Sequence, residues 1–376
     1  MGLILSLDNS IHSFNRAGFV GLLDQYTGAA AGYSLRRLSV NTTNVIRVRR
    51  SSDNAEADFT ADEITDGTMT AWVNEEVEKV LNGDFSNGST NWIVSNGSVT
   101  GGEYVSGTLS AYQSGIKQVP FTYTGTGTLT FDLTLNSGSL RVDDGGSLKL
   151  FTSSGSQSIT LTNPSKLEFN AYNLGFDGII DNISFIPTNV DGYVTTWYDQ
   201  SGNSNDATQA TAASQPKIVN AGVLVEENGR PAVDFDGVND DLDISVPITS
   251  GFSFFGVYKN TKDGSYLLGS SNAQFGRRST SEYRFHAAGS FSANGGVHSN
   301  NQVLLTGIED TVNATIYANG TQQSQASSVF SSDTLTLISR INVNGNIQEV
   351  IIYNSDQSSN RTNIETNIND HYNIYP

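Results

Sequence analysis

Cysteine is absent from the 376-residue chain, and proline occurs only seven times. Without cysteine there are no disulfides, no zinc–thiolate sites and no thiol nucleophile, and the redox compartment stays open. Charged residues make up 15% of the chain and hydrophobic residues 37%, which is typical neither of a disordered chain nor of a membrane protein. No apolar run approaches the length of a transmembrane helix, so we expect no membrane span.

Positive charge is also scarce, and the formal net charge is −18. A chain this acidic repels phosphate backbones, which excludes nucleic acid as an expected partner. Its carboxylates are suited to hard cations such as Ca²⁺. The four histidines are scattered without metal-ligand spacing.

Glycine is abundant, and with Ser, Thr and Asn it separates many short runs of alternating polarity. This pattern predicts an all-β chain of short strands joined by tight turns. In residues 45–49, Ile46 and Val48 share one face, while Arg47 and Arg49 lie on the other. We interpret these arginines as partners of nearby carboxylates rather than as an anion site. Further strands are predicted at 33–38, 128–133, 179–185, 193–198, 252–258, 334–339 and 348–353.

The pattern of short strands and turns in the sequence changes near residue 80 and changes back near residue 187. This predicts two β-sandwiches with one inserted into the other. We expect residues 1–20 to be an irregular N-terminal segment, followed by a discontinuous sandwich over 21–79 and 188–376 and an insert over 80–187. Only the C-terminus has a helical pattern, since Ile364, Ile368 and Tyr372 recur every four residues. Thr362 and Glu365 have the spacing of a capping box at its start.

Residues 197–209, Trp-Tyr-Asp-Gln-Ser-Gly-Asn-Ser-Asn-Asp-Ala-Thr-Gln, form the most distinctive motif, and residues 229–237 form a second. The first resembles the signature loop of the arabinofuranosidase-B-type fold, a concanavalin A-like, laminin-G-like sandwich. The resemblance covers about 21–79 and 188–376. It implies a lectin-like sandwich for the discontinuous part of the chain.

The insert opens with Asn-Gly-Asp-Phe at 82–85 and closes with Ile-Asp-Asn-Ile at 180–183. Both ends are similar to those of carbohydrate-binding-module jelly rolls, in which opening and closing segments often share a structural calcium. The resemblance therefore implies Asp84 and Asp181 as ligands of Ca²⁺, with no other cofactor. The alternative, that these are loop carboxylates bonded to turn amides, stays equally open.

A glycan site in the insert would use exposed aromatic rings, because a flat ring stacks on a sugar face. The candidates are Trp92, Tyr104, Tyr112 and Tyr172. The family pattern buries Trp92, which favours a core role for it. In the signature strand, alternation points one of Trp197 and Tyr198 inward and the other outward.

The combination of a lectin-like sandwich, an inserted jelly roll and no export signal resembles bacteriophage head fibres, spikes and tail appendages. It implies a virion protein made in the host cytoplasm and released by lysis. Residues 1–20 would dock to other virion proteins, and the sandwiches would bind a host-surface glycan. By the same resemblance we expect a homo-oligomer, with a trimer favoured.

Catalysis is not expected, because the arabinofuranosidase motif around the nucleophilic Glu is missing. Glu282 lies in the corresponding region but is interpreted as a strand-edge carboxylate paired with Arg277, Arg278 or Arg284. The Asp residues of 234–243 are interpreted as parts of a structural turn rather than as a metal site. The alternative function is a secreted carbohydrate-active enzyme or polysaccharide-binding protein related to arabinofuranosidases.

Overall fold

The computed structural model describes residues 18–146, 148–280, 282–297 and 300–376. The predicted docking segment 1–20 therefore lies almost entirely outside the described residues. Where the chain is described, it is built from short antiparallel strands, four helices and one 3₁₀ turn. The predicted class, all-β with two sandwiches and a short C-terminal helix, is confirmed.

The larger sandwich contains the strands β1 (Ala29–Ser34), β2 (Ile46–Arg50), β3 (Glu56–Phe59), β12 (Gly192–Trp197), β13 (Ala207–Thr208), β14 (Lys217–Asn220), β15 (Val223–Leu224), β16 (Glu226–Glu227), β17 (Arg230–Pro231), β18 (Val233–Asp236), β19 (Leu242–Thr249), β20 (Ser253–Tyr258), β21 (Tyr266–Gly269), β22 (Ala273–Ser279), β23 (Glu282–Ala287), β24 (Phe291–Gly295), β25 (Val303–Glu309), β26 (Asn313–Ala318), β27 (Thr321–Ser327), β28 (Ser332–Arg340) and β29 (Asn344–Tyr353). The smaller sandwich contains β4 (Trp92–Val94), β5 (Ser98–Thr100), β6 (Glu103–Val105), β7 (Ser114–Gln118), β8 (Thr126–Asp143), β9 (Lys149–Phe151), β10 (Gly155–Thr162) and β11 (Glu168–Thr188). The helices are α1 (Leu22–Gln25), α2 (Ala61–Thr65), α3 (Thr68–Val73) and α4 (Arg361–Tyr372), and the 3₁₀ turn is Ala212–Ser214.

Two layers of antiparallel strands face each other in the larger sandwich. The first layer runs in the order β27-β26-β25-β20-β29-β1, and we call it the covered layer because α4 packs on its outer side. The second layer runs β24-β23-β22-β21-β28-β19-β13-β12-β2-β3. Aromatic rings meet between them, as in the pair Phe254 and Phe275, whose ring centroids are 5.0 Å apart. Burial of this shared core is the main stabilising contribution.

The central strands of the covered layer are buried on both faces, because α4 lies against its outer side. The outward residues of its central strands, such as Phe255, Leu304 and Ile351, share a second core with Ile364 and Ile368 of the helix. The predicted helical stripe is thus confirmed. The predicted capping box is wrong, because α4 begins at Arg361 with Asn360 as its N-cap and without a side-chain cap.

The first predicted strand also needs correction, because β1 spans Ala29–Ser34 rather than 33–38. Beyond Ser34 the backbone bonds to a side chain instead of a neighbouring strand. The Gln200 amide donates to the carbonyl of Ser34 at 2.8 Å, and its oxygen accepts from the Leu38 amide at 2.7 Å. The glutamine of the signature loop therefore takes the place of a strand partner.

The smaller sandwich depends on two long strands, β8 and β11, that pass through both of its layers. At one end β8 pairs with β10 and β11 pairs with β6, which in turn pairs with β5. At the other end β8 pairs with β9 and β11 pairs with β7, which in turn pairs with β4. Phe131 of β8 and Phe169 of β11 meet in a core of its own, 5.2 Å between ring centroids. Among the described strands, none of β4–β11 pairs with a strand of the larger sandwich. The insert boundaries at 80 and 187 stay predictions.

Segment 78–80 connects the two sandwiches and is bonded to the end of β11. The Glu78 carboxylate accepts from the backbone amide of Phe185 at 2.9 Å, and the Lys79 amide donates to the Phe185 carbonyl at 3.1 Å. On the return side, Ser51 and Asp191 exchange two hydrogen bonds of 2.8 and 2.9 Å. These contacts form the base of a groove between the sandwiches.

Candidate functional site

Two of the four predicted sugar-binding rings belong to the core of the smaller sandwich. Trp92 is 6% exposed, packs on Phe85 and Phe169, and donates its indole N–H to the Asn82 carbonyl at 2.9 Å. Tyr104 is fully buried, and its hydroxyl donates to the Asn96 carbonyl at 2.8 Å. Because neither ring reaches solvent, the prediction of a sugar platform is wrong for Trp92 and Tyr104.

The other two rings, Tyr112 and Tyr172, lie together at the surface of the smaller sandwich. Their centroids are 5.6 Å apart and their planes meet at 79°, an edge-to-face pair. Tyr112 is 62% exposed, and its hydroxyl donates to Asn173 Oδ1 at 2.9 Å. We call these two residues the tyrosine pair. The structure brings them together from segments 60 residues apart in the chain.

Backbone bonds on both sides of the loop between β6 and β7 hold the tyrosine pair in place. Leu109 and Phe176 exchange hydrogen bonds of 2.8 and 3.0 Å, and the Ala171 amide donates to the Gln113 carbonyl at 2.9 Å. Between Ala171 and Phe176 the register of β11 shifts, so Tyr172 projects from an irregular segment. Tyr112 itself has a φ of +63°, an uncommon conformation for a non-glycine residue that is concentrated at functional sites.

Gly175 allows this close approach of loop and strand. Its φ is +79°, and a Cβ atom there would lie 2.4 Å from the Leu109 carbonyl oxygen. Beside it, Leu174 is 85% exposed, and Asp177 accepts hydrogen bonds from Thr108 and Asn136 at 3.3 and 3.1 Å. The tyrosine pair therefore has an apolar neighbour and polar groups within its own surface region.

The two predicted calcium ligands differ in their surroundings. Asp84 is exposed and accepts from both the amide and the hydroxyl of Ser86, at 3.2 and 3.0 Å, and these bonds lower the pKa of its carboxyl. Asp181 is half-buried, and its Oδ1 has no hydrogen-bond partner among the described residues. No group of three acidic or histidine side chains able to hold a metal occurs in the described part of the chain. Asp84 therefore fits the turn-carboxylate alternative, and calcium at Asp181 stays a prediction.

The signature loop holds the edge of the larger sandwich together. Trp197 is fully buried, while Tyr198 is partly exposed and donates its hydroxyl to Asp58 at 2.7 Å, which confirms the predicted alternation. The Asp199 carboxylate accepts from the Gly32 amide at 2.8 Å and from the Ser201 amide at 2.9 Å. These bonds make the motif a structural clasp on β1.

The groove between the sandwiches has a volume of about 590 Å³, within the range of small-ligand sites. The larger sandwich contributes Arg49, Ser52, Asp53, Asn54 and Tyr193 to its lining, the smaller one contributes Thr122 and Tyr123, and the connection contributes Lys79. We call it the inter-sandwich groove. Sequence reasoning missed it because its residues come from five separate segments that carry no common motif.

A second pocket of about 300 Å³ continues past Tyr193 and Ala212 and contains Asp234, Asp236 and Asp240. Asp236 accepts from the amides of Val238 and Asn239 at 2.7 and 3.2 Å, which agrees with the predicted structural turn. Asp240 is 6% exposed, and burial raises the pKa of its carboxyl to about 6, with a further contribution from the charge of Asp236.

Replacing Asp240 with Asn is expected to raise the free energy of unfolding at pH 8 by about 1–2 kcal/mol. The pKa of Asp240 is about 6 in the folded protein and about 3.9 in the unfolded chain. Its contribution to the free energy of unfolding is therefore most favourable below about pH 4 and is lost as the pH rises through about 6. Asn keeps an acceptor for the Asp236 amide, now bonded at 2.9 Å. Urea unfolding of both proteins from pH 4 to pH 8 measures the difference, and a gain independent of pH would contradict the assignment.

A third pocket, of about 360 Å³, lies beside α4 and is lined by Arg36, Arg37, Arg230 and His371. Burial and the Arg36 charge lower the pKa of His371 to about 4, so this imidazole is neutral at physiological pH. Arg36 is held by the buried Glu349 at 2.7 Å and by Asn367 at 3.0 Å. Glu349 also accepts from Ser34 and Tyr372, which ties β1 and α4 together.

Glu282, the residue nearest to the family's nucleophile position, lies at the start of β23. It is paired with Arg278, as predicted for a strand-edge carboxylate. The predicted pairing of the β2 arginines is also confirmed for Arg47, which bonds Asp58 at 2.6 and 2.8 Å. It is wrong for Arg49, which bonds the amide oxygens of Gln215 and Asn54 instead of a carboxylate. No described helix is long and apolar enough to cross a membrane.

No family model and no curated protein matches the sequence. Among solved structures, the chain is similar to Trypanosoma rangeli sialidase, with 13% identity over 46% of this chain and 30% of that chain and a TM-score of 0.33. A GH54 α-L-arabinofuranosidase soaked with a cyclic sulfate inhibitor has 14% identity over 66% of this chain and 62% of that chain, with a TM-score of 0.33. The chain thus spans less than two thirds of each. Likenesses this remote carry no information about its activity or ligand.

Proposed function

We propose that this chain is a non-enzymatic virion surface protein, a head fibre, spike or tail appendage, whose smaller sandwich binds a host-surface glycan. The observation that carries the glycan part of the proposal is the tyrosine pair, in which Tyr112 is exposed and Tyr172 is half-buried. Large aromatic rings are normally buried, and two of them held together at the surface indicate a contact site.

The arrangement suits a sugar ring for physical reasons. The apolar face of a sugar stacks on an aromatic ring, while its hydroxyl groups need hydrogen-bonding partners at the edge. Asn173 supplies an amide beside the rings, since its oxygen accepts from the Tyr112 hydroxyl. The backbone bonds around Leu109 and Ala171 hold the loop in one conformation, which lowers the entropic cost of binding.

The virion part of the proposal rests on the combination of two sandwiches, each with its own core. In this arrangement residues 1–20 dock the chain to other virion proteins, and three copies form the projecting unit. Cryo-electron microscopy of the native particle tests it. Density for this chain on the head or tail, contacted through residues 1–20, is the expected result, and its absence from every particle would overturn the virion assignment.

Replacing Tyr112 with Ala is expected to weaken glycan binding by about tenfold or more, because a buried aromatic contact is typically worth more than 1 kcal/mol. Glycan-array screening of the wild-type protein identifies the ligand, and calorimetric titration measures the change in Kd. Tyr172→Ala is expected to act in the same direction, since each ring supports the other.

Tyr112→Phe is the matched control, because it keeps the ring and removes only the hydroxyl bond to Asn173. It is expected to retain most of the affinity. Equal binding by wild type and Tyr112→Ala would place the glycan site elsewhere, and the absence of any glycan ligand for the wild-type protein would overturn the function.

Glycoside hydrolysis is the second candidate function, and one observation favours it. Asp240, with its raised pKa, lies with two further carboxylates in a pocket, and a protonated carboxyl beside an ionised one is the pattern of a general acid and its partner. Hydrolysis of aryl-arabinofuranosides that is lost in Asp240→Asn would establish this candidate. Activity equal to the uncatalysed rate would exclude it for that substrate class.

A further inference from the structure

Two cations of the inter-sandwich groove form no ion pair with a carboxylate of the described residues. Most described Lys and Arg side chains form ion pairs, as expected for a chain with a net charge of −18. Arg49 instead bonds two neutral amides, Gln215 Oε1 at 2.8 Å and Asn54 Oδ1 at 2.7 Å. Its guanidinium also lies over the Tyr193 ring, 4.7 Å from the centroid. The side chain is held in one position without an ion pair to a described carboxylate, although Glu56 is its cross-strand neighbour on β3.

Lys79 is the second unpaired cation and is half-buried. Its ammonium group has no hydrogen bond or ion pair with any residue that the structure describes. The nearby Asp53 is saturated, because Arg50 binds both of its oxygens at 2.8 and 2.9 Å. Glu78 accepts from the amides of Val80 and Phe185 at 2.7 and 2.9 Å. Burial lowers the pKa of Lys79, and the charges of the nearby Asp53 and Glu78 offset only part of that effect.

The remaining lining is suited to a sugar. Thr122 and Ser52 contribute hydroxyl groups, and the Ser52 hydroxyl oxygen is buried without a hydrogen-bond partner among the described residues. Tyr123 is half-buried and presents part of its ring to the groove, whereas the Tyr193 ring is covered by the Arg49 guanidinium. A ligand that matches this lining has hydroxyl groups, an apolar ring face and one negative charge.

We infer that the inter-sandwich groove binds an acidic sugar unit, with its anionic group between Lys79 and Arg49 and its ring against Tyr123. The inference deepens the proposed function, because it assumes that the ligand is a glycan. It adds a second site and a chemical class, a sugar that carries a carboxylate or sulfate group. A polyanion such as nucleic acid is disfavoured, because the rest of the protein repels it.

The test is calorimetric titration of the full chain with trigalacturonate, a sulfated galactose trisaccharide and a neutral galactose trisaccharide. Wild-type protein is expected to bind at least one acidic ligand and to bind the neutral trisaccharide at least about tenfold more weakly, because a hydrogen bond to a charged group contributes substantially. Lys79→Met is expected to remove that preference. The preferred acidic ligand identifies the anionic group.

Lys117→Met is the matched control, because it removes the same charge from the smaller sandwich at a residue paired with Glu168 outside the groove. It is expected to keep the preference for acidic sugars. Lys79→Met should unfold at or above the wild-type temperature, since it removes a half-buried charge without a partner. Arg49→Gln provides a second, independent loss of the preference.

Two outcomes overturn the inference: equal binding of acidic and neutral trisaccharides by wild type, or an unchanged preference in both Lys79→Met and Arg49→Gln. Failure of the proposed function is a different result. In that case no ligand of a glycan array binds in a manner that depends on Tyr112. Loss of the acidic preference in Lys79→Met, with Tyr112-dependent binding intact, supports two separate sites.

Discussion

Glu349→Ala is expected to lower the free energy of unfolding by about 3–5 kcal/mol, the usual consequence of removing one partner from a buried ion pair. The Glu349 side chain is fully buried and accepts from Arg36 at 2.7 and 3.0 Å, from Ser34 at 2.8 Å and from Tyr372 at 3.2 Å. Its loss leaves the Arg36 guanidinium largely buried without its countercharge. Chemical denaturation of both proteins at pH 7 measures the change.

Two control variants test whether the loss of stability comes from leaving a buried charge unpaired rather than from removing a charge in itself. Glu282→Ala removes an exposed partner of Arg278 and is expected to cost at most about 1 kcal/mol. Arg36→Met combined with Glu349→Leu removes both charges and is expected to recover a large part of the loss, because no unpaired charge remains. If Glu349→Ala costs no more than Glu282→Ala, the link between β1, the covered layer and α4 is weaker than its geometry indicates.

Ile368→Ala is expected to cost about 2–5 kcal/mol, the range for truncating a fully buried aliphatic side chain. Ile368 lies on α4 and is fully buried in the core between the helix and the covered layer. The strands beneath it are apolar on both faces, so the helix is required to shield the outer face from water. Urea unfolding followed by circular dichroism measures the loss.

Thr366→Ala on the same helix is the matched control. Thr366 is exposed, and its hydroxyl donates to the Thr362 carbonyl at 2.8 Å within the helix. Ala is a better helix former, so this change is expected to alter stability by no more than about 0.5 kcal/mol. Similar losses for Ile368→Ala and Thr366→Ala would mean that α4 contributes little to the fold.

The two proposed glycan surfaces differ in what the sequence could indicate. Tyr112 and Tyr172 could be selected as aromatic candidates by composition, yet Trp92 and Tyr104 met the same criterion and are buried. Three-residue strands such as β4 and β6 are too short for alternation to decide which side chain points inward. No sequence pattern indicated the inter-sandwich groove, because whether a charged side chain has an ion-pair partner depends on its neighbours in the folded structure.

The sequence by itself determined the all-β class, the change of texture near residues 80 and 187, and the apolar stripe of α4. These follow from periodicity and turn composition, which act between residues close together in the chain. It also predicted the pairing of Arg47 with a nearby carboxylate, since Asp58 lies opposite it on the adjacent strand β3. Such features need only local geometry.

Only the tertiary structure decided where β1 ends, which tyrosines are exposed and which cations lack partners. The Gln200 side chain takes the place of a strand partner for a segment more than 160 residues earlier in the chain. The tyrosine pair forms only when β11 folds against the loop at Leu109. Lys79 forms no ion pair with a described carboxylate, because Arg50 already binds Asp53. Each of these depends on contacts between distant segments. Burial and charge compensation are set by three-dimensional neighbours, and no sequence pattern records them.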